Sequence, residues 1–139
     1  AQLPEDTLLL LTADHGLIDT QMVYLEDYPD LRRMLVRDST IELRALSFHV
    51  KPEYMEHFPE AFLQHFPDQF LLVKRDDFIR DYLGPGEVRP QVYDFVGDYM
   101  ALAVGNISMM NHPGPISILG NHAGLTPEEM LVPLIVAKQ

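Results

Sequence analysis

The chain contains no cysteine. Disulfides, thiolate metal sites and cysteine nucleophiles are excluded with it. The same absence favours the cytoplasm, where disulfides play little part, and the expected localisation rests on that alone. Positive charge is also scarce. Ten Lys and Arg stand against 21 Asp and Glu, giving a net charge of −11 and a pI near 4.7. The only basic clusters, Arg32–Arg33 and Lys74–Arg75, have acidic neighbours. No basic stripe exists to release counterions from a phosphate backbone, so a nucleic-acid polymer is not an expected partner. No apolar run approaches the roughly 18 residues that a spanning helix takes, and a membrane is not an expected partner either. Ala1–Gln2–Leu3–Pro4–Glu5–Asp6 lacks the basic start and apolar stretch of a signal peptide.

What the chain does have is apolar content, at 47% of 139 residues, enough for a core in one domain or a small two-lobed unit. Thr7–Thr12 is a short aliphatic run bounded by acidic residues and Asp-His-Gly. It is expected to be a strand buried on both faces, within a parallel or mixed sheet. Tyr28–Pro29–Asp30 marks a turn, and Asp30–Val36 a short helix with Leu31, Met34 and Leu35 on one face. Ile41–Val50 is expected as a strand. Its apolar positions change phase near Ala45–Leu46, which predicts a bulge there or burial on both faces. Phe58, Phe62 and Phe66 recur at steps of four, a helical core stripe, with Pro59 breaking or restarting the helix. Phe70–Lys74 and Asp98–Val104 are further strands. Asp76–Leu83 is a helix ended by Gly84–Pro85–Gly86, and a loop rich in Gly, Asn, Ser and Pro then runs to Gly120. Thr126–Pro127–Glu128–Glu129 predicts a helix start with a capping box, and Leu131–Ala137 a last strand. The outer parts, 1–38 and 105–139, are expected to form one α/β layer. The middle, 40–104, is expected to be an inserted β-α-β-α-β lobe.

Two segments carry chemistry. Thr12–Ala13–Asp14–His15–Gly16 ends the first strand with a carboxylate and an imidazole, and Gly120–Asn121–His122–Ala123–Gly124 holds a second imidazole between glycines. Carboxylate oxygen and neutral imidazole nitrogen are ligands for a zinc-like ion. Neighbours in a strand point to opposite faces, so Asp14 and His15 serve one ion only if the chain is already turning, which Gly16 permits. Each segment alone is also an ordinary polar strand end or loop histidine. His57 and His65 flank the phenylalanine stripe and are expected on the solvent side. His49 reads as a paired polar group in a strand. His112 is the one alternative ligand.

Taken together, the two segments resemble the alkaline phosphatase superfamily, and within it the type I phosphodiesterase/nucleotide pyrophosphatase group. The resemblance implies that Asp14 and His15 bind one divalent ion, and that His122, ahead of Thr126–Met130, binds a second. Ala123 stands where many members have glycine. It also implies an upstream aspartate, a threonine or serine nucleophile at a helix start and an Asp-x-x-x-His ligand pair. None of these occurs in this chain, and too few residues precede Asp14 to hold them.

The expectation is therefore a C-terminal part of a two-metal phosphate-ester hydrolase, with a partial alkaline-phosphatase-like sheet layer. Zinc is the first choice of metal and manganese the second, and the isolated chain is expected to hold little metal. No catalytic nucleophile is expected within it. The substrate implied for the whole enzyme is a phosphate-ester small molecule or nucleotide, and the fragment is expected to self-associate as a homodimer. The alternatives are a sulfatase or phosphotransferase of the same superfamily, or a non-catalytic interaction module built on the middle lobe.

Overall fold

The computed structural model describes residues 4–114 and 119–138. In chain order, β1 (Leu8–Thr12) is followed by the short strands β2 (Ile18–Asp19) and β3 (Gln21–Tyr24), and by one turn of helix, α1 (Pro29–Arg32). Next come β4 (Thr40–Ile41), β5 (Ala45–Phe48), α2 (Phe58–His65), β6 (Phe70–Lys74), α3 (Arg75–Tyr82), α4 (Pro90–Val96) and β7 (Tyr99–Ala103). The chain then runs through β8 (Ile107–Met110), β9 (Gly120–Asn121), α5 (Pro127–Met130) and β10 (Leu134–Lys138).

The middle of the chain is an antiparallel sheet in the order β4-β5-β7-β6. Its central strand β7 is buried along its whole length, and the alternation of side chains serves two cores. Tyr99, Ala101 and Ala103 join Leu46, Phe48 and Phe70 on the face covered by α2. Met100 and Leu102 join Val73, Phe78, Val92 and Val96 on the face covered by α3 and α4. The stripe expected from the sequence is the heart of the first core. Phe58 and Phe62 are fully buried and Phe66 almost so, and the Phe48 ring lies 5.3 and 5.4 Å from those of Phe58 and Phe62. Pro59 starts α2 rather than breaking it, because the first helical turn has no use for its missing N–H. Leu25, Leu31, Met34, Leu35 and Met109 belong to the same core, so segments on both sides of residues 40–104 pack on the sheet.

Five expectations change. Ile41–Val50 is not one bulged strand but a hairpin, β4-β5. Glu42 and Ala45 exchange backbone hydrogen bonds of 3.1 and 3.3 Å across a two-residue turn, Leu43–Arg44, and this turn is what switches the apolar phase. The helix after Tyr28 is shorter than expected and ends at Arg32, although Leu31, Met34 and Leu35 are all buried. The middle segment holds an extra helix, α4, and an extra strand. The glycine-rich segment after β7 is partly β8, which pairs in parallel with β3 from Gln21↔Ile107 to Tyr24↔Met110.

The largest change concerns β1. Among the described residues it pairs with β10 alone, antiparallel, from Leu8↔Lys138 to Thr12↔Leu134. Leu8–Leu11 are between 45% and 59% exposed. An aliphatic run signals a strand buried on both faces only when layers exist to cover it. Among the described residues each strand of the ribbon has a partner on one edge, and both strands stay largely exposed.

Candidate metal centre

The ribbon and a second small pairing bring the two chemical segments together. Thr12 ends β1, and the chain turns through Ala13–Gly16 into β2. Strand β2 pairs with β9, Ile18 against Asn121 and Asp19 against Gly120. Asn121 Nδ2 donates to Thr20 Oγ1 at 2.7 Å, and Ser108 Oγ donates to the same oxygen at 2.8 Å. His122, next to Asn121, is thereby placed over the Asp-His-Gly turn. The imidazoles of His15 and His122 stack, with centroids 3.9 Å apart and planes 12° from parallel.

Asp14 is largely exposed, with Oδ2 3.7 Å from His15 Nε2. Hydrogen bonds from its own backbone N–H and from that of His15, followed by the His15 imidazole, hold its carboxyl below the usual carboxylate range. His15 Nδ1 lies 2.8 Å from the Gly16 carbonyl. A carbonyl only accepts, so Nδ1 carries a hydrogen, and in the neutral ring the lone pair then sits on Nε2, the tautomer that suits Nε2 to a metal. Asp14, His15 and His122 thus share one surface. These donors suit zinc in kind but not in number, since no group of three or more His, Asp or Glu among the described residues is placed to hold an ion, and stable zinc sites use three or four ligands.

Gly16 is required for a reason other than the one expected. Its φ is not left-handed, but a Cβ there would lie 1.8 Å from the Glu128 carbonyl oxygen. Gly124 is equally confined, a Cβ meeting Arg44 Nη2 and Glu129 Oε2 at 2.6 Å. Between His122 and Gly124, Ala123 adopts φ 78°, the left-handed region that glycine enters without cost.

Beneath the histidines lies an ion pair that the sequence did not reveal. Arg44, in the hairpin turn, is completely buried. Its Nε and Nη2 each donate to Glu129 at 2.7 Å, Nη1 donates to the Ile107 carbonyl and Nη2 also to that of Gly105. Glu129 accepts further hydrogen bonds from the Gly124 N–H and the Thr126 hydroxyl, both at 2.8 Å. Burial pushes the Glu129 carboxyl up, but the bonds from Arg44, Thr126 and Gly124 outweigh it and hold it at about 2. Thr126 and Glu129 were legible as a capping box, yet the threonine hydroxyl makes no cap bond to the helix backbone. The available signal was a lone arginine inside the apolar run Leu43–Leu46.

The other histidines lie outside this arrangement. His49 contacts Arg37 and the Asp94 carbonyl, and exposed His65 contacts Asp30 at 2.7 Å. His112 has Nδ1 2.7 Å from Glu26 and Nε2 3.2 Å from Asp38, so neither nitrogen is free for a metal. A cleft of about 690 Å³ is lined by Met55, Glu56, Lys74, Arg75, Asp98 and Tyr99, among others, and includes none of Asp14, His15 and His122. Within it Arg75 pairs with Asp98, and Tyr99 Oη donates to the Met55 carbonyl.

The fold is a mixed α/β arrangement of small sheets that is similar to part of several solved structures. The matched structures include murine ectonucleotide pyrophosphatase/phosphodiesterase 5, with 15% identity and a TM-score of 0.62 over 97% of this chain and 35% of that one. An inactive form of the same murine protein in complex with AMP matches with 16% identity and a TM-score of 0.59, over 94% and 33%. Phosphonoacetate hydrolase from Sinorhizobium meliloti 1021 in complex with phosphonoformate matches with 18% identity and a TM-score of 0.65, over 94% and 36%. The chain therefore spans about a third of the length of these structures. No protein-family model and no curated protein sequence matches it.

Proposed function

We propose that this chain is the C-terminal part of a two-metal phosphate-ester hydrolase of the phosphodiesterase/nucleotide pyrophosphatase type. On this reading Asp14 and His15 contribute to one ion and His122 to the other. The nucleophile and the remaining ligands lie in the part of the fold that the chain does not span. The observation that carries the reading is the meeting of Asp14, His15 and His122 on one surface, from segments far apart in sequence. The fold supports it, and the matched proteins crystallised with AMP and phosphonoformate favour a small phosphorus-containing substrate or nucleotide. Residues 1–38 and 105–139 then form part of the hydrolase core, and 40–104 the inserted lobe.

Zinc is the favoured ion and manganese the alternative. Bound divalent ions supply charge stabilisation at phosphoryl oxygens. The chain's own share is to present an anionic Asp14 carboxylate, a His15 Nε2 lone pair fixed by the Nδ1–H bond to Gly16, and the His122 ring beside it. Calorimetry with zinc and with manganese tests the proposal. Weak binding is expected, lost in both His15→Ala and His122→Ala. Binding that neither substitution changes would overturn the assignment of ligands. Tight binding of two ions per chain would overturn the view that the ligand set is partial.

A further inference from the structure

We infer that Glu129 is the positioning residue that sets the distance between the two halves of the metal centre, with Arg44 fixing it to the lobe. The inference rests on the proposed reading only in calling His15 and His122 ligands; the geometry stands without it.

One residue tethers three segments. The Glu129 carbonyl accepts the Gly16 N–H at 2.9 Å, directly after His15. Its Oε1 accepts the Gly124 N–H at 2.8 Å, two residues after His122. Both carboxylate oxygens take Arg44, whose remaining donors close on Ile107 and Gly105. The Leu125 N–H adds a 2.7 Å bond to the Ala103 carbonyl of β7, so the segment after His122 is seated on the central sheet. The preceding side of each histidine is held differently, by β1-β10 for His15 and by the two-residue β2-β9 pair for His122. Without Glu129 the bonds nearest the two rings on their following side are lost, at Gly16 after His15 and at Gly124 after His122, and the next anchors are the β2-β9 pair and the Leu125 bond to β7.

A plain structural staple needs no such placement. An arginine–carboxylate pair contributes little net stability when buried, because desolvation offsets attraction. Here the carboxylate instead takes its bonds from the histidine-bearing loop, and the rigid fork of Arg44 fixes their direction. The packing tolerates little movement, since a single added Cβ at Gly16 or Gly124 meets Glu128, Arg44 or Glu129 well inside contact distance. Glu129 itself is buried and does not face the ligand surface. It acts through the backbone on either side.

The test uses the metal-free chain and the ring protons of His15 and His122, which each ring shifts upfield in the other when stacked at 3.9 Å. In Glu129→Gln both sets of shifts should move toward those of an isolated imidazole. The resonances of Phe48, Phe58 and Phe62 should stay in place. Gly16→Ala pushes the turn after His15 away from the Glu128–Glu129 backbone and leaves the Glu129 carboxylate and its donors chemically unaltered, so it serves if Glu129→Gln does not fold. There the rings should again lose their mutual shifts while the Gly124 amide keeps its hydrogen-bonded position. Stacking shifts retained in a folded Glu129→Gln, or in Gly16→Ala, would overturn the inference. Because the rings are read without metal, loss of the shifts supports the positioning role whether or not zinc binds.

Discussion

The guanidinium of Arg44 meets the carboxylate of Glu129 side-on, with two bonds of 2.7 Å and both side chains out of water. The pair joins the turn of the β4-β5 hairpin to the segment that carries His122. It makes the whole arrangement acid-sensitive in a predictable direction. Glu129 is held at about 2 against an ordinary 4.5. A depressed carboxyl contributes stability that is complete above its unfolded value and is lost as pH falls through the folded one. Denaturant unfolding should therefore show a loss of about 3 kcal/mol between pH 4.5 and pH 2. Glu129→Gln should flatten that part of the curve and cost about 3–5 kcal/mol at neutral pH, since it leaves Arg44 buried without its counter-charge. An unchanged acid limb in Glu129→Gln would place the acid sensitivity elsewhere.

His112 works in the opposite sense. The hydrogen bond to Glu26, then that to Asp38, hold its imidazolium above the usual histidine range, against the opposing charge of Arg32. A raised histidine contributes stability that is complete below its unfolded value, near 6.5, and is lost as pH rises through the folded one. Beside it, Asn111 takes the N–H and hydroxyl of Ser39 and donates to the Ser39 carbonyl. Protonated His112 thus adds an ionic clasp to a neutral one. A proton NMR titration should place the His112 midpoint above that of a free histidine, and Glu26→Gln should lower it. A midpoint indifferent to Glu26→Gln would remove the clasp.

Ala123 carries a backbone cost. Left-handed φ is unfavourable for a residue with a Cβ by roughly 1–2 kcal/mol, and glycine avoids it. Ala123→Gly should raise stability by about 0.5–1 kcal/mol, the relief of strain being partly offset by the entropy of a freer unfolded chain. Thermal unfolding reads this directly. A lower midpoint in Ala123→Gly would mean that the methyl packs usefully and that the strain is small.

The parts of the fold legible in the sequence are those whose pattern is local. Phe58, Phe62 and Phe66 announced α2 and its buried face, and Phe70–Lys74 is β6 to the residue. What failed to show was set by contact between distant segments. Leu8–Leu11 is as apolar as a central strand, but only the surrounding layers decide whether it is covered. Ile107–Met110 has no turn signal of its own and becomes β8 through pairing with β3. At the site, Asp14, His15 and His122 could be named from their neighbours. Arg44 and Glu129 could not, because no spacing rule links a hairpin turn to a distant helix start. The stripe offers the simplest check on the local reading. Phe62→Ala should cost about 3–5 kcal/mol in denaturant unfolding, and a cost below about 0.5 kcal/mol would show that the ring contributes no packing.

The β1-β10 ribbon predicts the behaviour of the isolated chain in solution. Leu8–Leu11 and Leu134–Val136 are all between 45% and 66% exposed, on a ribbon that is two-stranded among the described residues, with one edge of each strand open there. Two strands alone are marginal in water, and an open apolar edge is a template for pairing with another chain. The isolated chain should therefore self-associate through this ribbon, and a symmetric dimer is the simplest closed form. The net charge of −11 opposes association. Salt screens that repulsion, with a Debye length falling from about 10 Å at 0.1 M to about 3 Å at 1 M, and strengthens apolar burial at high concentration. Sedimentation should show a dimer fraction that grows with both protein concentration and salt. Leu10→Lys, together with Ile135→Lys, should abolish it without disturbing the four-stranded sheet, whose two cores share none of these side chains. A chain that stays monomeric at high concentration and high salt would mean that the ribbon does not act as a contact surface between copies.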